Sequence, residues 1–131
     1  MTKARGAFKL AAWNEETYEE LAGGAKLTKA SVTQAFEGDI EGDGAVEWLM
    51  AYSRDGHARF VGLQLVRGRI GDRSGTFVLE TSGNFDGAKA TWDASVVPGT
   101  ATGDLEGLSG SGTFGAPRGP EATFELEYHL E

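Results

Sequence analysis

The sequence predicts an all-β fold, a single small antiparallel β-barrel of about eight strands. Its centre is a three-strand meander, in which apolar, β-rich runs at residues 46–53, 58–67 and 74–82 are joined by short turns at Asp55-Gly56 and Asp72-Arg73. Twenty glycines with only three prolines, without a collagen-like period, are typical of many short strands joined by tight turns. Strands at such short, regular spacing indicate a barrel or a sandwich, and we predict the barrel.

Length and composition limit the classes of function. A chain of 131 residues is one domain by length, so we assign residues 1–131 to a single β-barrel domain. The absence of cysteine excludes disulfides, thiolate metal sites and a cysteine nucleophile. The net charge of −8 argues against nucleic acid and anionic membranes as partners. The first residues lack the apolar core of a signal peptide and no run approaches a membrane span, so we expect a cytoplasmic protein.

The other predicted strands follow the alternation of apolar and polar side chains. They cover residues 7–14, 26–37, 88–97, 104–114 and 122–129. Residues 15–21 are the one helix-like piece, and because so short a helix is marginal in water we expect a loop or a single turn there. Residues 38–44 are predicted to form an acidic turn. Glycines spaced around single apolar residues at 36–42, 66–71 and 102–107 favour a sheet that curls on itself.

Turn lengths predict which strand residues face each other. If the meander turns have two residues each, Glu47 lies opposite Gln64 and Gln64 opposite Thr81, with Trp92 next in the row. On this register one face combines apolar residues with three polar ones: Leu49, Phe60, Val66, Phe77, Leu79, Ala90, Trp92 and Val96, with Glu47, Gln64 and Thr81. The other face of the later strands is densely polar, so the first face is predicted to be interior.

A polar row inside an apolar barrel needs hydrogen-bond partners. Small residues beside the row leave room for a ligand or water to supply them. In the alternative interpretation, the three polar residues satisfy one another or lie near the barrel mouth. If a ligand occupies the interior, the predicted ligand-binding residues are Gln64, Thr81, Trp92, Phe60, Phe77, Leu79 and Leu49.

The opposite face of the first hairpin is predicted to be unusually apolar for a surface. It carries Trp48, Met50, Val61, Leu63 and Leu65. A monomer rarely exposes such a patch. Either another part of the chain covers it, for which residues 13–21 are the candidate, or it is a homo-oligomer interface. We favour the interface.

Glu47 is the one candidate catalytic residue. A carboxyl group against an apolar wall has a raised pKa and can transfer protons near neutral pH. The favoured alternative is that Glu47 faces outward. Neither His57 nor His129 belongs to a plausible arrangement of serine and aspartate for a hydrolase triad, and the inner face offers no set of metal ligands, with Glu47 its one candidate. We expect neither a metal nor an organic cofactor.

Four segments resemble a bacterial family of unknown function. They are Trp48-Leu49-Met50-Ala51-Tyr52, Phe60-Val61-Gly62, Gly68-Arg69-Ile70-Gly71-Asp72-Arg73-Ser74-Gly75-Thr76-Phe77-Val78-Leu79 and Val96-Val97-Pro98-Gly99-Thr100-Ala101-Thr102-Gly103. Members of the family resemble allene oxide cyclase in forming small eight-stranded barrels, and the similarity extends over nearly the whole chain. The resemblance implies a barrel of lipocalin-like shape with an internal cavity, and it implies oligomers. By analogy, such barrels bind hydrophobic small molecules, and some guide cyclisation by shape alone.

This chain departs from the family pattern at two positions. Where relatives usually have glutamate and histidine, it has Gln64 and Thr81. An amide and a hydroxyl group do not act as acid and base near neutral pH, so the departure favours binding over acid–base catalysis.

Three functions follow from these observations. The first, which we predict, is a barrel that binds a hydrophobic or amphipathic small molecule in its interior. The second is an isomerase or cyclase of the allene oxide cyclase-like type that folds a substrate in the same cavity. The third is a filled, non-catalytic barrel that serves as an assembly module through its outer face.

Overall fold

Eight antiparallel strands close into one barrel in the computed structural model, which describes residues 1–117 and 122–130. The strands are β1 (Thr2–Glu20), β2 (Lys26–Gly38), β3 (Ile40–Tyr52), β4 (Ala58–Ile70), β5 (Arg73–Phe85), β6 (Lys89–Val96), β7 (Ser109–Pro117) and β8 (Ala122–His129). Each strand pairs with its neighbours in chain order, and β1 pairs with β8 to close the barrel. The predicted all-β, eight-stranded barrel is confirmed.

Helical structure within the described ranges is limited to two short 3₁₀ turns, Ala22–Gly24 and Gly103–Leu105. In that part of the chain, no helix is long and apolar enough to cross a membrane.

Period-two alternation of the sequence gives the barrel its apolar interior. On β2, Ala30, Val32 and Phe36 are buried, and the residues between them face outward. On β8, Phe124 and Leu126 are likewise buried. The two alternating faces of these strands were predicted correctly, because each strand carries an uninterrupted alternation of apolar and polar residues.

Three segment predictions are wrong. Residues 15–20 continue β1 instead of forming a loop or turn, because they pair with β2. This pairing includes register shifts near Ala11 and Tyr18, which no local sequence pattern indicates. Residues 40–44 belong to β3, so the acidic turn shrinks to a bend at Asp39. The seventh strand begins at Ser109, since the preceding residues form the second 3₁₀ turn and a short connection.

Two glycines lie opposite each other near one end of the barrel. Gly42 on β3 lies opposite Gly68 on β4, and their φ angles are +148° and +154°. A Cβ atom on Gly42 would approach the Gly68 Cα atom to 2.7 Å. Only glycine combines this conformation with so close an approach, so the pair permits a bend that other residues would resist.

The two ends of the barrel differ in how they are covered. We call the end with the β1–β2, β3–β4 and β5–β6 turns the mouth, and the opposite end the base. At the base, β5 extends past β6, which pairs only with residues 79–85 of β5. The β6–β7 connection (residues 97–108) covers this overhang: the Thr102 amide donates to the Thr76 carbonyl at 2.8 Å, and Leu105 and Leu108 are buried.

At the mouth, β1 forms the overhang. Its pairing with β8 ends where Phe8 lies opposite Ala122, whereas residues 12–17, 19 and 20 pair with β2 alone among the described strands. Leu10 and Trp13 on this overhang stay 43% and 45% exposed. The described part of the chain therefore leaves the mouth accessible beside β1.

Candidate functional site

The register between β3 and β4 differs by one residue from the predicted one. Glu47 lies opposite Leu63, and Gln64 lies opposite Val46. The reason is the β3–β4 turn, which is closed by a bond from the Ser53 amide to the His57 carbonyl and therefore has an odd number of central residues. A one-residue slip turns every side chain of a strand to the other face.

This slip divides the predicted ligand-binding set. Phe60, Gln64, Phe77, Leu79, Thr81 and Trp92 are all buried inside the barrel. Leu49 instead faces outward and is 52% exposed. Glu47 is also outward, as the favoured alternative held, and accepts a hydrogen bond from the Ser31 hydroxyl on β2.

The predicted outer patch changes for the same reason. Trp48 and Met50 lie inside the barrel, so their assignment to the outer face is wrong. Val61 and Leu63 do face outward and are more than half exposed, and Leu65 beside them is partly buried. Leu49 joins these residues in their place, opposite Val61. The outer face of β3 and β4 thus carries an apolar patch, although its residues differ from the predicted ones. We call it the outer patch: Leu49, Val61, Leu63 and Leu65.

Two polar pairs cross the middle of the barrel. The Gln64 amide nitrogen donates to the Gln34 Oε1 atom at 2.7 Å. Gly44 makes room for this pair, because a Cβ atom there would lie 3.3 Å from Gln34 Oε1. The Trp48 indole nitrogen donates to the Thr81 hydroxyl at 3.1 Å, and that hydroxyl donates to a backbone carbonyl. On β4 and β5, Gln64 lies opposite Leu79 and Thr81 lies opposite Gly62, so the prediction that Gln64 faces Thr81 is wrong. Each of the two has another hydrogen-bond partner.

Three buried polar atoms have no hydrogen-bond partner among the described residues. They are Gln34 Nε2, Gln64 Oε1 and Trp92 Nε1. Buried side-chain polar atoms in proteins are nearly always hydrogen-bonded, to protein or to ordered water. The interior thus presents two unpaired donors and one unpaired acceptor.

Trp92, which carries one of these atoms, belongs to an aromatic cluster inside the barrel. Trp92 stacks on Phe114 with ring centroids 5.4 Å apart and packs edge-on against Trp48 at 4.9 Å. The cluster includes Phe8, Phe36, Phe60 and Phe124. Small-molecule sites combine an apolar, aromatic lining with a few polar groups, and the interior contains both kinds of side chain.

A second polar group lies at the mouth. Glu15 on β1 accepts hydrogen bonds from the Thr28 hydroxyl at 2.7 Å and from the Trp13 indole nitrogen at 2.9 Å. Tyr52, at the end of β3, lies next to it, and the Lys26 ammonium group sits 5.1 Å from the centroid of the Tyr52 ring. We call these five residues the mouth cluster.

Ionisation in the mouth cluster follows from this packing. Burial opposes the charged form of Glu15, but the hydrogen bonds from Thr28, Tyr52 and Trp13 outweigh it, so the pKa of Glu15 is lowered. Burial raises the pKa of Tyr52, and the hydrogen bond to Glu15 and its negative charge raise it further. At neutral pH Glu15 is a carboxylate and Tyr52 is a neutral donor.

Sequence reasoning missed Gln34 and the mouth cluster. Gln34 carried a signal, since it is the one amide within the apolar face of β2. Glu15 lay in the segment taken for a loop or turn, so its position opposite Ala30 on β2 could not be derived. Within the described residues, no group of three or more His, Cys, Asp or Glu side chains could hold a metal ion.

Comparisons with known proteins identify the family. Residues 4–128 match the model of the family DUF3224, whose description is "Protein of unknown function". The chain belongs to that family. The crystal structure of a DUF3224 protein of unknown function from Shewanella oneidensis MR-1 superposes with a TM-score of 0.85 at 29% sequence identity, covering 100% of this chain and 98% of that one. No curated protein matches. The resemblance to a family of unknown function is confirmed, whereas the likeness to allene oxide cyclase stays a prediction.

Proposed function

We propose that this DUF3224 barrel binds an amphipathic small molecule in its interior. The apolar part of the ligand packs among the aromatic cluster, and its polar part meets the unpaired atoms of Gln34, Gln64 and Trp92. The observation that carries the proposal is that these three polar atoms are buried without a partner in the described protein. A ligand group that both accepts and donates hydrogen bonds, such as a hydroxyl or an amide, matches two donors and one acceptor.

Binding fits the interior better than acid–base catalysis does. The buried polar side chains of the described residues are Thr28, Gln34, Gln64 and Thr81, and none of them titrates near neutral pH. A general base works best with a pKa near the working pH, whereas the pKa of Glu15 is shifted away from neutrality. The isomerase or cyclase alternative would therefore depend on shape alone, and turnover of a bound compound would identify it.

Native mass spectrometry before and after denaturation tests the proposal, because a bound molecule appears as an adduct and is then released. A neutral apolar fluorophore, N-phenyl-1-naphthylamine, provides the binding assay. In the double variant Gln34→Met, Gln64→Met, both buried amides are removed together, so no half-pair remains. We expect the adduct to be lost and a hydroxylated or amide ligand to bind about tenfold more weakly, while the barrel stays folded.

Thr113→Val, an outward change on β7, is the matched control and should leave binding unchanged. If the double variant is more stable and retains every adduct, the unpaired amides serve only ordered water. A wild-type protein that carries no adduct and binds no fluorophore contradicts the proposal outright.

We further propose that the outer patch joins two copies of the chain. The exposure of this apolar patch supports the proposal: Leu49 and Val61 lie directly opposite each other, and Leu63 is 57% exposed. Charges of both signs border the patch. Arg59 lies two residues before Val61 on β4, while Glu47 and Glu80 flank Leu63 on the neighbouring strands. A surface with both signs around an apolar centre suits a second copy better than a partner of one charge sign.

Light scattering after size exclusion tests this proposal. Leu63→Glu places a charge at the centre of the patch and should convert a dimer or larger assembly to a monomer. Thr113→Glu adds the same charge on β7, away from the patch, and should leave the assembly intact. A monomeric wild-type protein at high concentration, or a Leu63→Glu variant that still assembles, contradicts the proposal. The expected cytoplasmic location and the expected lack of nucleic-acid and membrane partners stay predictions.

A further inference from the structure

The mouth cluster resembles a site for an organic cation. Glu15 is held in place by Thr28 and Trp13, which donate one hydrogen bond to each carboxylate oxygen, and by Tyr52 as a third donor. Each oxygen of a carboxylate accepts two hydrogen bonds, so acceptor capacity remains. The Trp13 ring lies beside this carboxylate and is nearly half exposed, with its centroid 5.9 Å from that of buried Trp48. An aromatic path thus leads from the mouth to the interior cluster.

The chain already places one of its own cations here. The Lys26 ammonium group lies 5.1 Å from the centroid of the Tyr52 ring, within the range of a cation–π contact, and its charge also acts on Glu15. Lysine carries its charge on a flexible four-carbon stem, so the ammonium group can leave this position at low cost. The position over Tyr52 and near Glu15 is therefore one that favours a positive charge.

We propose that the mouth cluster binds the cationic head group of the ligand, an alkylammonium or a similar organic cation, in exchange for the Lys26 ammonium group. This inference rests on the proposed binding function and names the class of its ligand. The cation contacts the Glu15 carboxylate and the ring faces of Trp13 and Tyr52, while its apolar tail enters beside exposed Leu10. The net charge of −8 attracts such a ligand from solution and disfavours an anionic one.

Three probes with the same twelve-carbon tail test the charge preference: dodecyltrimethylammonium, dodecyl sulfate and dodecyl maltoside, each below its micelle concentration. Calorimetric titration should give the tightest binding for the ammonium probe. Glu15→Gln keeps the shape of the side chain and removes its charge, so it should weaken the ammonium probe about tenfold and leave the neutral probe unchanged. Lys26→Met removes the competing cation and should tighten the ammonium probe several-fold.

Lys29→Met, an outward change on the same strand, is the control for net charge and should alter the ammonium probe little. If Glu15→Gln fails to fold, the comparison of Lys26→Met with Lys29→Met decides. Equal affinity for all three probes, or equal effects of Lys26→Met and Lys29→Met, overturns this inference alone. If the neutral probe also fails to bind the wild-type protein, the proposed function fails with it.

Discussion

The base and the mouth of this barrel each have an overhanging strand, but only the overhang at the base is covered by another described part of the chain. At each end one strand extends beyond its neighbour, β5 at the base and β1 at the mouth. The β5 overhang is covered by the β6–β7 connection, which donates the Val97 and Thr102 amides to β5 carbonyls and buries Leu105. The β1 overhang pairs with β2 alone among the described strands. Within the described residues the β1 overhang is thus uncovered, and its backbone and side-chain groups are open to solvent and to ligands.

Because of this difference, the residues that contribute most to stability and the residues that stay available for binding lie at different positions along the barrel axis. Where a strand is covered, its inner side chains lose all contact with water and contribute packing energy. Where it is uncovered, the inner face carries half-exposed rings and an ordered carboxylate, which contribute less to folding and stay available for contact. We therefore expect substitutions of the packed interior and base to lower stability, and substitutions at the mouth to change binding.

The two indole rings that meet 5.9 Å apart give the largest contrast. Trp48→Ala removes a ring that is 2% exposed and contacts Phe60 and Trp92, and it should lower the free energy of unfolding by about 3–5 kcal/mol. Trp13→Ala removes a ring that is nearly half exposed and should cost only about 1 kcal/mol. Urea unfolding of both variants measures the difference. Similar losses for the two would show that the mouth is packed like the interior.

Substitution of one leucine at each end allows the two overhangs to be compared. Leu105 lies on the connection that covers the β5 overhang, and Leu10 lies on the β1 overhang. Leu105→Ala leaves a cavity under the β6–β7 connection and should cost about 3 kcal/mol. Leu10→Ala at the mouth deletes a side chain that is 43% exposed, so the loss should stay below about 1 kcal/mol. Thermal and urea unfolding give the two values. A Leu10→Ala loss as large as that of Leu105→Ala would contradict the uncovered state of the β1 overhang.

The sequence predicted the barrel and most of its interior, and it failed where pairing overrides local pattern. Strands β2, β6 and β8 alternate without interruption, so their inner faces could be read directly. The inner face of β3 was inverted, because the Ser53–His57 turn has an odd number of central residues that the Asp55-Gly56 signal does not reveal.

The mouth cluster could not be predicted for a related reason. Residues 15–20 are rich in glutamate and form a strand only because β2 pairs with them through two register shifts. Pairing of this kind is a tertiary effect, and no local propensity indicates it. The Gln34–Gln64 pair was predicted only in part: Gln64 was placed on the inner face, but Gln34 was missed, and their approach across Gly44 depends on the register of three strands.

The Thr28 hydroxyl tests how the mouth cluster contributes to stability. Because the pKa of Glu15 is lowered in the folded protein, its ionisation stabilises the fold above its ordinary pKa, and this contribution is lost as the pH falls through the lowered value. Thr28→Val removes one donor to Glu15 and should cost about 1 kcal/mol at pH 7, a charged hydrogen bond discounted for the partial exposure of the carboxylate.

The loss from Thr28→Val should shrink as the pH falls below the ordinary glutamate pKa and through the lowered pKa of Glu15, because Glu15 becomes protonated in both proteins. Urea unfolding at several pH values measures this. Thr33→Val, an outward change on the same strand, is the control and should give a difference that does not vary with pH. A constant loss for Thr28→Val at every pH would mean that the hydroxyl acts by packing and not through Glu15.

The smallest expected effect on stability is that of an ion pair on the outer surface near the base. Arg69 on β4 donates to Glu41 on β3 at 2.6 Å, and both side chains are about half exposed. An exposed ion pair of this kind is worth roughly 0–1 kcal/mol, so Arg69→Ala should lower stability by no more than that, and salt should reduce the difference. Urea unfolding at low and high salt measures both. A loss of about 3 kcal/mol that salt does not reduce would mean that ion pairs on the outer surface stabilise the base. The contrast between the covered base and the mouth, which the described residues leave open, would then need another cause.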